Sequence, residues 1–123
     1  MTFLIVDDSQ PFRNSVSRYI QSRIPDHHKI YEATDGGEAV TMYEDVRPDW
    51  VLMDIAMEPM DGLTGSREIL CKHPKAKIII LTNYDDADYR SAAKDAGASA
   101  YVLKDHLNEI PSIVSALRNG SIQ

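Results

Sequence analysis

The sequence predicts a doubly wound α/β fold around a five-stranded parallel sheet, and three observations support this prediction. Five short apolar runs recur along the chain, and four are almost unbroken, as in strands buried on both faces. A helix-length segment follows each run. The runs begin roughly every 25 residues, which is typical of β-α-β units with right-handed crossovers. No linker divides the 123 residues, so we expect one domain at residues 1–120 and a tail at 121–123.

The five strands are predicted at residues 3–6, 29–33, 50–53, 77–81 and 100–103. The second run mixes charged and apolar residues, which favours an edge strand. The other four runs are nearly all apolar, so we expect helices to cover both of their faces.

The helices are predicted to begin near residues 11, 38, 63, 86 and 106 and to end near residues 24, 45, 72, 96 and 118. Ser9 and Asp35 precede the first two helices, where a side-chain oxygen can accept a hydrogen bond from a first-turn backbone amide. Pro11 suits the first turn, and the segment Ile24-Pro25-Asp26 suits a helix end.

The last two helices have glycine at their predicted ends. Gly97 follows an alanine-rich fourth helix, and Gly120 follows the fifth. The fifth helix has one apolar face, formed by Leu107, Ile110, Val114 and Leu117.

Composition excludes several classes of function. The chain has 13 basic and 19 acidic residues and a net charge of −6, with no basic patch, so we expect no direct contact with nucleic acid. No apolar run approaches the roughly 18 residues of a membrane span, and Asp7 and Asp8 end the first run too early for a signal peptide. Cys71 is the single cysteine, which excludes an intramolecular disulfide. These features predict a cytoplasmic protein.

Polar side chains follow four of the predicted strands, at the points where the strands end. They are Asp7, Asp8, Asp54, Thr82 and Lys104. The carboxyl ends of parallel strands meet at one edge of the sheet, where this architecture binds ligands. The alternative for each residue is a turn or helix-cap role. That alternative is weaker for Asp54, which lies within an apolar run.

Three carboxylates at one edge of a sheet require a cation. Two unit charges about 4 Å apart repel by roughly 4 kcal/mol at an effective dielectric near 20. Carboxylate oxygens suit Mg²⁺, while Lys104 adds a second positive charge and Thr82 a hydroxyl group. This set of groups is suited to phosphoryl transfer onto an aspartate, and no glycine-rich nucleotide loop accompanies it.

Six motifs in this order make the sequence resemble the receiver domain of two-component response regulators, in the style usually joined to a helix-turn-helix output domain. They are LIVDDS (4–9), ATDGGEA (33–39), DWVLMDI (49–55), MDGL (60–63), ILT (80–82) and AGASAYVLK (96–104). The resemblance covers nearly the whole chain. It implies a flavodoxin-like fold with strand order 2-1-3-4-5.

The resemblance also implies a role for each matching residue. Asp54 matches the phosphoacceptor and a Mg²⁺ ligand, Asp8 the carboxylate that binds Mg²⁺ directly, Asp7 one that acts through water, and the Ala56 carbonyl the third protein ligand. Thr82, Lys104 and the backbone amide of Asn83 match the groups that hold the phosphoryl group, and Tyr101 matches the aromatic switch. For Tyr101, a plain packing role in the core is the alternative.

A receiver of this family takes its phosphoryl group from a sensor histidine kinase or a phosphotransfer protein. It assists its own phosphorylation but acts as a regulator rather than an enzyme. The resemblance therefore implies a phosphorelay component that signals through the helix 4–strand 5–helix 5 face. It also implies a homodimer formed on phosphorylation.

Two positions depart from the family pattern. Glu58 stands where proline is common, and Asp105 follows Lys104 where a cis proline is common. We expect a trans Lys104–Asp105 bond, because a cis bond before a non-proline residue costs about 2.5 to 4 kcal/mol. Asp105 is predicted instead to cap the fifth helix.

Two other functions stay open at this point. One is a haloacid-dehalogenase-type phosphatase, which shares the aspartate nucleophile but needs a second aspartate where this chain has Ala56. The other is a receiver-like interaction module that is never phosphorylated, against which the intact acidic set argues.

Overall fold

The computed structural model describes residues 1–25 and 27–118, with the backbone alone at 117 and 118. The helices and strands, in chain order, are β1 (Thr2–Val6), α1 (Gln10–Arg23), β2 (Lys29–Ala33), α2 (Gly36–Val46), β3 (Trp50–Met53), α3 (Gly62–Lys72), β4 (Ile78–Thr82), α4 (Ala87–Ala96), β5 (Ala100–Leu103), a 3₁₀ helix (Lys104–Glu109) and α5 (Ile110–Arg118). Asp26, the predicted cap at Gly120, the tail at 121–123 and the Leu117 side chain lie outside this description.

The five strands form one parallel sheet in the order β2-β1-β3-β4-β5, which confirms the predicted topology. β2 is an edge strand, as its mixed sequence predicts. β5 forms the other edge, as the predicted strand order requires. Both of its faces contact the core, with Tyr101 against one cluster and Val102 in the other, but only Val102 is fully buried.

Two hydrophobic clusters pack on opposite faces of the sheet. Leu4 and Val6 of β1 join the cluster covered by α2, α3 and α4, while Phe3 and Ile5 join the cluster covered by α1 and α5. Successive strand residues point to opposite faces. The unbroken apolar runs of β1, β3 and β4 therefore serve both clusters at once.

Side-chain caps fix where the helices begin. Ser9 Oγ accepts from the Phe12 amide at 3.3 Å, and Asp35 Oδ1 accepts from the Glu38 amide at 3.0 Å, which confirms both predicted caps. Asp61 and Asp86 cap α3 and α4 in the same way. Gly97 ends α4 with φ 97°, a left-handed conformation that favours glycine.

The predicted start of the fifth helix near His106 is wrong. Residues 104–109 form a 3₁₀ helix with His106 at non-helical φ −120° and ψ 44°, and α5 begins at Ile110. Asp105 lies inside the 3₁₀ segment and does not cap α5, whereas its peptide bond with Lys104 is trans as expected. Pro111 lacks an amide hydrogen and suits the first turn of a helix, which is consistent with the later start.

The loop after β3 folds back against Asp54. The Gly62 amide donates to the Ile55 carbonyl at 3.0 Å, and a Cβ on Gly62 would lie 1.7 Å from the Asp54 carbonyl oxygen. Only glycine permits this approach, so Gly62 lets α3 begin directly against the end of β3. In the part of the chain that the structure describes, no helix has the length and apolar character to cross a bilayer.

Candidate functional site

Three carboxylates converge at the carboxyl ends of β1 and β3. One oxygen from each of Asp7, Asp8 and Asp54 lies within 4.8 Å of the other two. Asp7 and Asp54 are buried, whereas Asp8 is exposed. The sequence placed these residues at one edge of the sheet, and the structure brings their side chains together there.

Strand pairing explains this convergence. β1 and β3 are adjacent, with Val6 opposite Met53, so the residues that follow each strand are neighbours. The Asp54 amide donates to the Val6 carbonyl at 3.0 Å, which extends the ladder by one bond and fixes Asp54 beside the end of β1. The Asp7 amide donates to the Ala33 carbonyl at 3.1 Å, which holds β1 to β2 at the same level.

Lys104 joins the two buried carboxylates. Its Nζ lies 2.6 Å from Asp7 Oδ2 and 3.2 Å from Asp54 Oδ2. The same Nζ lies 4.3 Å from the centroid of the Phe12 ring, so an aromatic face of α1 also contacts the ammonium. Lys104 is the first residue after β5, and its side chain therefore reaches across the ends of β4 and β3 to β1.

The remaining oxygens of the buried pair accept backbone hydrogen bonds. Asp7 Oδ1 accepts from the Ser9 amide at 2.8 Å, and Asp54 Oδ1 accepts from the Ile55 amide at 2.8 Å. Each carboxylate thus has one oxygen held by the backbone and one held by Lys104. These bonds hold both groups in fixed orientations.

For Asp54 and for Lys104, burial and the charge of the ion-pair partner act in opposite directions on the pKa. Burial raises the pKa of Asp54, and the Asp7 charge adds to that, while Lys104 and the Ile55 amide only partly offset them. For Lys104, burial opposes the charged form, but the hydrogen bonds and charges of Asp7 and Asp54 outweigh it and raise the lysine pKa. The site therefore holds one carboxylate, that of Asp54, that is costly to ionise, and an ammonium that stays protonated.

The carboxylates form a donor set that fits Mg²⁺. All three ligand groups are hard oxygens, and Asp8 makes no hydrogen bond or ion pair with another described residue, so its oxygens are free to bind a cation. Ala56 is two residues beyond Asp54 and lines the same cavity as Asp8.

Thr82, Tyr84 and Tyr101 are linked in a short chain of hydrogen bonds at the end of β4. Thr82 is fully buried, and its Oγ1 accepts from the Tyr84 amide at 3.4 Å. The Tyr101 hydroxyl donates to the Tyr84 carbonyl. Tyr101 also packs against the α2–α3–α4 cluster, so it has the packing role as well as this bond. Asn83, between Thr82 and Tyr84, is exposed.

Sequence reasoning missed three residues that contact the site. Arg90 of α4 lies 4.6 Å from the centroid of the Tyr101 ring and bonds Asp85 at 3.1 Å. Arg13 of α1 donates to the Asp7 carbonyl at 2.6 Å, and Phe12 contacts Lys104 as described above. Phe12 lies four residues before the buried Val16, a spacing that indicates packing rather than contact with Lys104, and no pattern in the sequence pairs the two arginines with their partners.

Comparison with known proteins identifies the family. The family description "Response regulator receiver domain" matches residues 3–115. The transcriptional regulatory protein LiaR of Bacillus subtilis is 35% identical over 118 residues, which cover 96% of this chain and 54% of LiaR. The transcriptional regulatory protein DegU of Brevibacillus brevis is 34% identical over 102 residues, covering 83% of this chain and 43% of DegU. The chain thus spans about half the length of the curated relatives it matches.

A solved structure has the same fold. A LuxR-family two-component response regulator from Aurantimonas superposes with a TM-score of 0.89 at 32% identity, covering 97% of this chain and 85% of that one. The haloacid-dehalogenase alternative is not favoured by these matches. With a family match over residues 3–115, the chain belongs to the response regulator receiver domain family.

Proposed function

We propose that Asp54 accepts a phosphoryl group from a sensor histidine kinase or a phosphotransfer protein, with Mg²⁺ bound at the acidic cluster. The observation that supports this most strongly is Lys104, which bonds both Asp7 and the buried Asp54 in a site with three converging carboxylates. A carboxylate that is buried, oriented and paired with an ammonium is suited to act as a nucleophile.

In the proposed transfer, a carboxylate oxygen of Asp54 attacks phosphorus as the bond to the donor breaks. Lys104 favours the ionised nucleophile against the effect of burial, because its charge lowers the Asp54 pKa. Asp8, Asp54 and the Ala56 carbonyl would hold Mg²⁺, with Asp7 acting through water, and the ion would neutralise charge on the phosphoryl oxygens. The Lys104 ammonium adds positive charge beside the same oxygens.

Phosphorylation adds a charge of about −1.5 to −2 to the site. Lys104, the Thr82 hydroxyl and the Asn83 amide are the proposed donors to this group. In its 3.4 Å bond with the Tyr84 amide the Thr82 hydroxyl accepts, so its own hydrogen can be donated to a phosphoryl oxygen, and the long bond is broken at low cost if the side chain moves. Because Tyr84 also accepts the Tyr101 hydroxyl, a shift at Thr82 would be transmitted to the α4–β5–α5 face.

The relatives support a proposal for the output. LiaR and DegU are named as transcriptional regulatory proteins, and this chain matches about half of each. We propose that the chain, with its domain at residues 1–120, is the receiver part of a DNA-binding transcription regulator. In that arrangement phosphorylation favours a homodimer, and a separate domain contacts the DNA.

Intact mass after incubation with Mg²⁺ and phosphoramidate or acetyl phosphate tests the phosphoacceptor. We expect one added phosphoryl group on the native chain and none on Asp54→Asn. Asp49→Asn is the matched control, because Asp49 is an exposed aspartate that bonds the Thr2 amide, away from the site. A label that persists in Asp54→Asn would refute the assignment.

A further inference from the structure

The Phe12 ring of α1 lies against the ammonium of the site, and the function proposed above gives this ring no role. Lys104 Nζ is 4.3 Å from the ring centroid, which is the shortest contact of this kind among the described residues. An aromatic face attracts a cation, and the attraction is stronger where water is excluded. The Lys104 side chain is only 13% exposed, so the contact is largely shielded from solvent.

Two hydrogen bonds leave part of the Lys104 ammonium uncovered by acceptors. An ammonium has three N–H donors, and Nζ donates to Asp7 Oδ2 at 2.6 Å and to Asp54 Oδ2 at 3.2 Å. In the part of the chain that the structure describes, no third acceptor bonds Nζ. The Phe12 ring covers part of the remaining surface, which water would otherwise occupy.

The position of the ring is fixed by the same turn that orients Asp7. Asp7 Oδ1 accepts from the Ser9 amide at 2.8 Å, and Ser9 Oγ accepts in turn from the Phe12 amide at 3.3 Å. Arg13, the next residue, donates to the Asp7 carbonyl at 2.6 Å. The Phe12 side chain also packs against the cluster covered by α1 and α5. The ring is therefore a fixed surface beside the carboxylates rather than a mobile one.

An aromatic ring suits this position better than an aliphatic side chain or a further carboxylate. An aliphatic group would exclude water without attracting the ammonium, and burial alone disfavours a charged lysine. A further carboxylate would attract the ammonium, but its full charge would repel a phosphoryl oxygen. The face of the Phe12 ring carries only partial negative charge, so it attracts the lysine and adds little repulsion.

We propose that Phe12 is a positioning residue for phosphoryl transfer and that its ring holds the Lys104 ammonium beside the acceptor oxygen of Asp54. The inference rests on the phosphoacceptor function proposed above and adds a residue to it. Without the ring, the long lysine side chain is free to turn toward solvent. A fixed ring that attracts the cation opposes that turn, so the ammonium is in place when a phosphoryl oxygen arrives.

Phe12→Leu removes the ring and keeps an apolar side chain. We expect labelling of Asp54 by phosphoramidate at saturating Mg²⁺ to slow by about three- to tenfold, as for the loss of a largely buried cation–ring contact. The Mg²⁺ concentration that gives half the maximal rate should not change, because Phe12 is not among the groups proposed to hold the ion. A change in that concentration with no change in the maximal rate would overturn the inference. Tyr19→Leu is the matched control, since Tyr19 is an aromatic residue of α1 with Arg23 5.4 Å from its ring centroid, outside the site.

Fluorinated phenylalanines at residue 12 separate attraction from packing. Each fluorine withdraws charge from the ring face and weakens its attraction for a cation, while the shape of the ring is nearly unchanged. We expect the logarithm of the labelling rate to fall steadily with each added fluorine. A side chain that only fills space would give the same rate throughout the series, and that result would overturn the inference.

Proton NMR of the metal-free chain tests the contact without any reaction. Protons above an aromatic ring are shielded by its ring current, so the Cε protons of Lys104 should resonate upfield of those of an exposed lysine such as Lys75. Phe12→Leu should remove this shift, whereas Tyr19→Leu should leave it in place. An unshifted Lys104 resonance in the native chain, or a native labelling rate in Phe12→Leu, would overturn the inference and leave the phosphoacceptor function standing. A native chain that phosphoramidate does not label would overturn both.

Discussion

Replacing Lys104 with methionine removes the ammonium and keeps the length of the side chain. The variant therefore tests how much this charge stabilises the buried carboxylates of the site. Lys104 lies 2.6 Å from Asp7 and 3.2 Å from Asp54, and its side chain is 13% exposed. The variant leaves two buried carboxylates without their shared cation. We expect the metal-free fold to lose stability and the metal-bound fold to lose much less.

The magnitude follows from distance and burial. A unit-charge pair at the 3.2 Å that separates Lys104 and Asp54 interacts by about 5 kcal/mol at an effective dielectric near 20. Removing one partner of a buried pair costs about 3 to 5 kcal/mol. Protonation of Asp54 relieves part of this cost, so we expect a loss of about 3 kcal/mol in the free energy of unfolding at neutral pH.

The loss of folding stability in Lys104→Met should increase as the pH rises. Burial raises the folded-state pKa of Asp54 above its unfolded value, so the folded chain binds more protons between the two values. The stability this contributes is complete below the unfolded pKa and disappears as pH rises through the folded pKa. Without the Lys104 charge, which lowers the Asp54 pKa, the loss with rising pH is larger than in the native chain.

Urea unfolding in chelator at pH 5 and pH 8 measures this directly. Lys104→Met should be closest to the native chain at pH 5 and furthest from it at pH 8, and adding Asp54→Asn should restore much of the lost stability. Lys75→Met, at an exposed lysine between α3 and β4, is the control. Equal stability of Lys104→Met and the native chain at pH 8, or no recovery in the double variant, would refute this reasoning.

Three further predictions follow from the same geometry. Asp8→Ala should raise the melting temperature in chelator by a few degrees, because one repelling carboxylate is removed. The same variant should weaken Mg²⁺ binding in calorimetry, and an unchanged Mg²⁺ affinity would contradict the ligand role of Asp8. Beryllofluoride, a phosphoryl mimic, should change amide exchange across residues 84–105, because α4 has a single buried residue; unchanged exchange there would contradict the proposed output face. The phosphoaspartate should be long-lived, because Ala56 has no side-chain group to orient the attacking water and the bulky Tyr84 excludes it. Ala56→Asn should speed the decay several-fold in Mg²⁺, since one hydrogen bond to that water is worth about 1 kcal/mol. An unchanged decay rate would refute that explanation.

The fold was predictable because its signal is local and repeated. Alternating apolar runs and capped helices give the β-α-β units, and the right-handed crossover rule leaves few ways to arrange them. The apolar sequence of β5 resembles that of a central strand, so its edge position followed only from the strand order that the family resemblance implies. The pattern of the fifth helix was ambiguous, because an apolar pair three residues apart, such as Leu107 and Ile110, fits a 3₁₀ turn and an α-helix equally.

The sequence predicted which strand-end residues form the candidate site, but it did not predict their side-chain contacts. The residues that follow parallel strands must meet at one edge, so the convergence of Asp7, Asp8 and Asp54 required only the correct topology. The bonds of Lys104 to two carboxylates and the contact of Arg90 with Tyr101 depend on the reach of long side chains. The cavity lined by Asp8 and Ala56 depends on how the β3–α3 loop packs, which no spacing in the sequence encodes.

The segment where the sequence prediction failed is also the one that the proposed phosphorylation would move. Lys104 begins a 3₁₀ helix in which no residue is buried, and it follows β5 directly. When Asp54 gains a phosphoryl group, the negative charge beside the Lys104 ammonium grows, and Coulomb attraction draws the lysine away from Asp7. An α-helix starting at residue 104 would resist that shift through its backbone bonds, whereas an unburied 3₁₀ turn yields at low cost. The late start of α5 thus couples the charge at Asp54 to the edge strand that holds Tyr101.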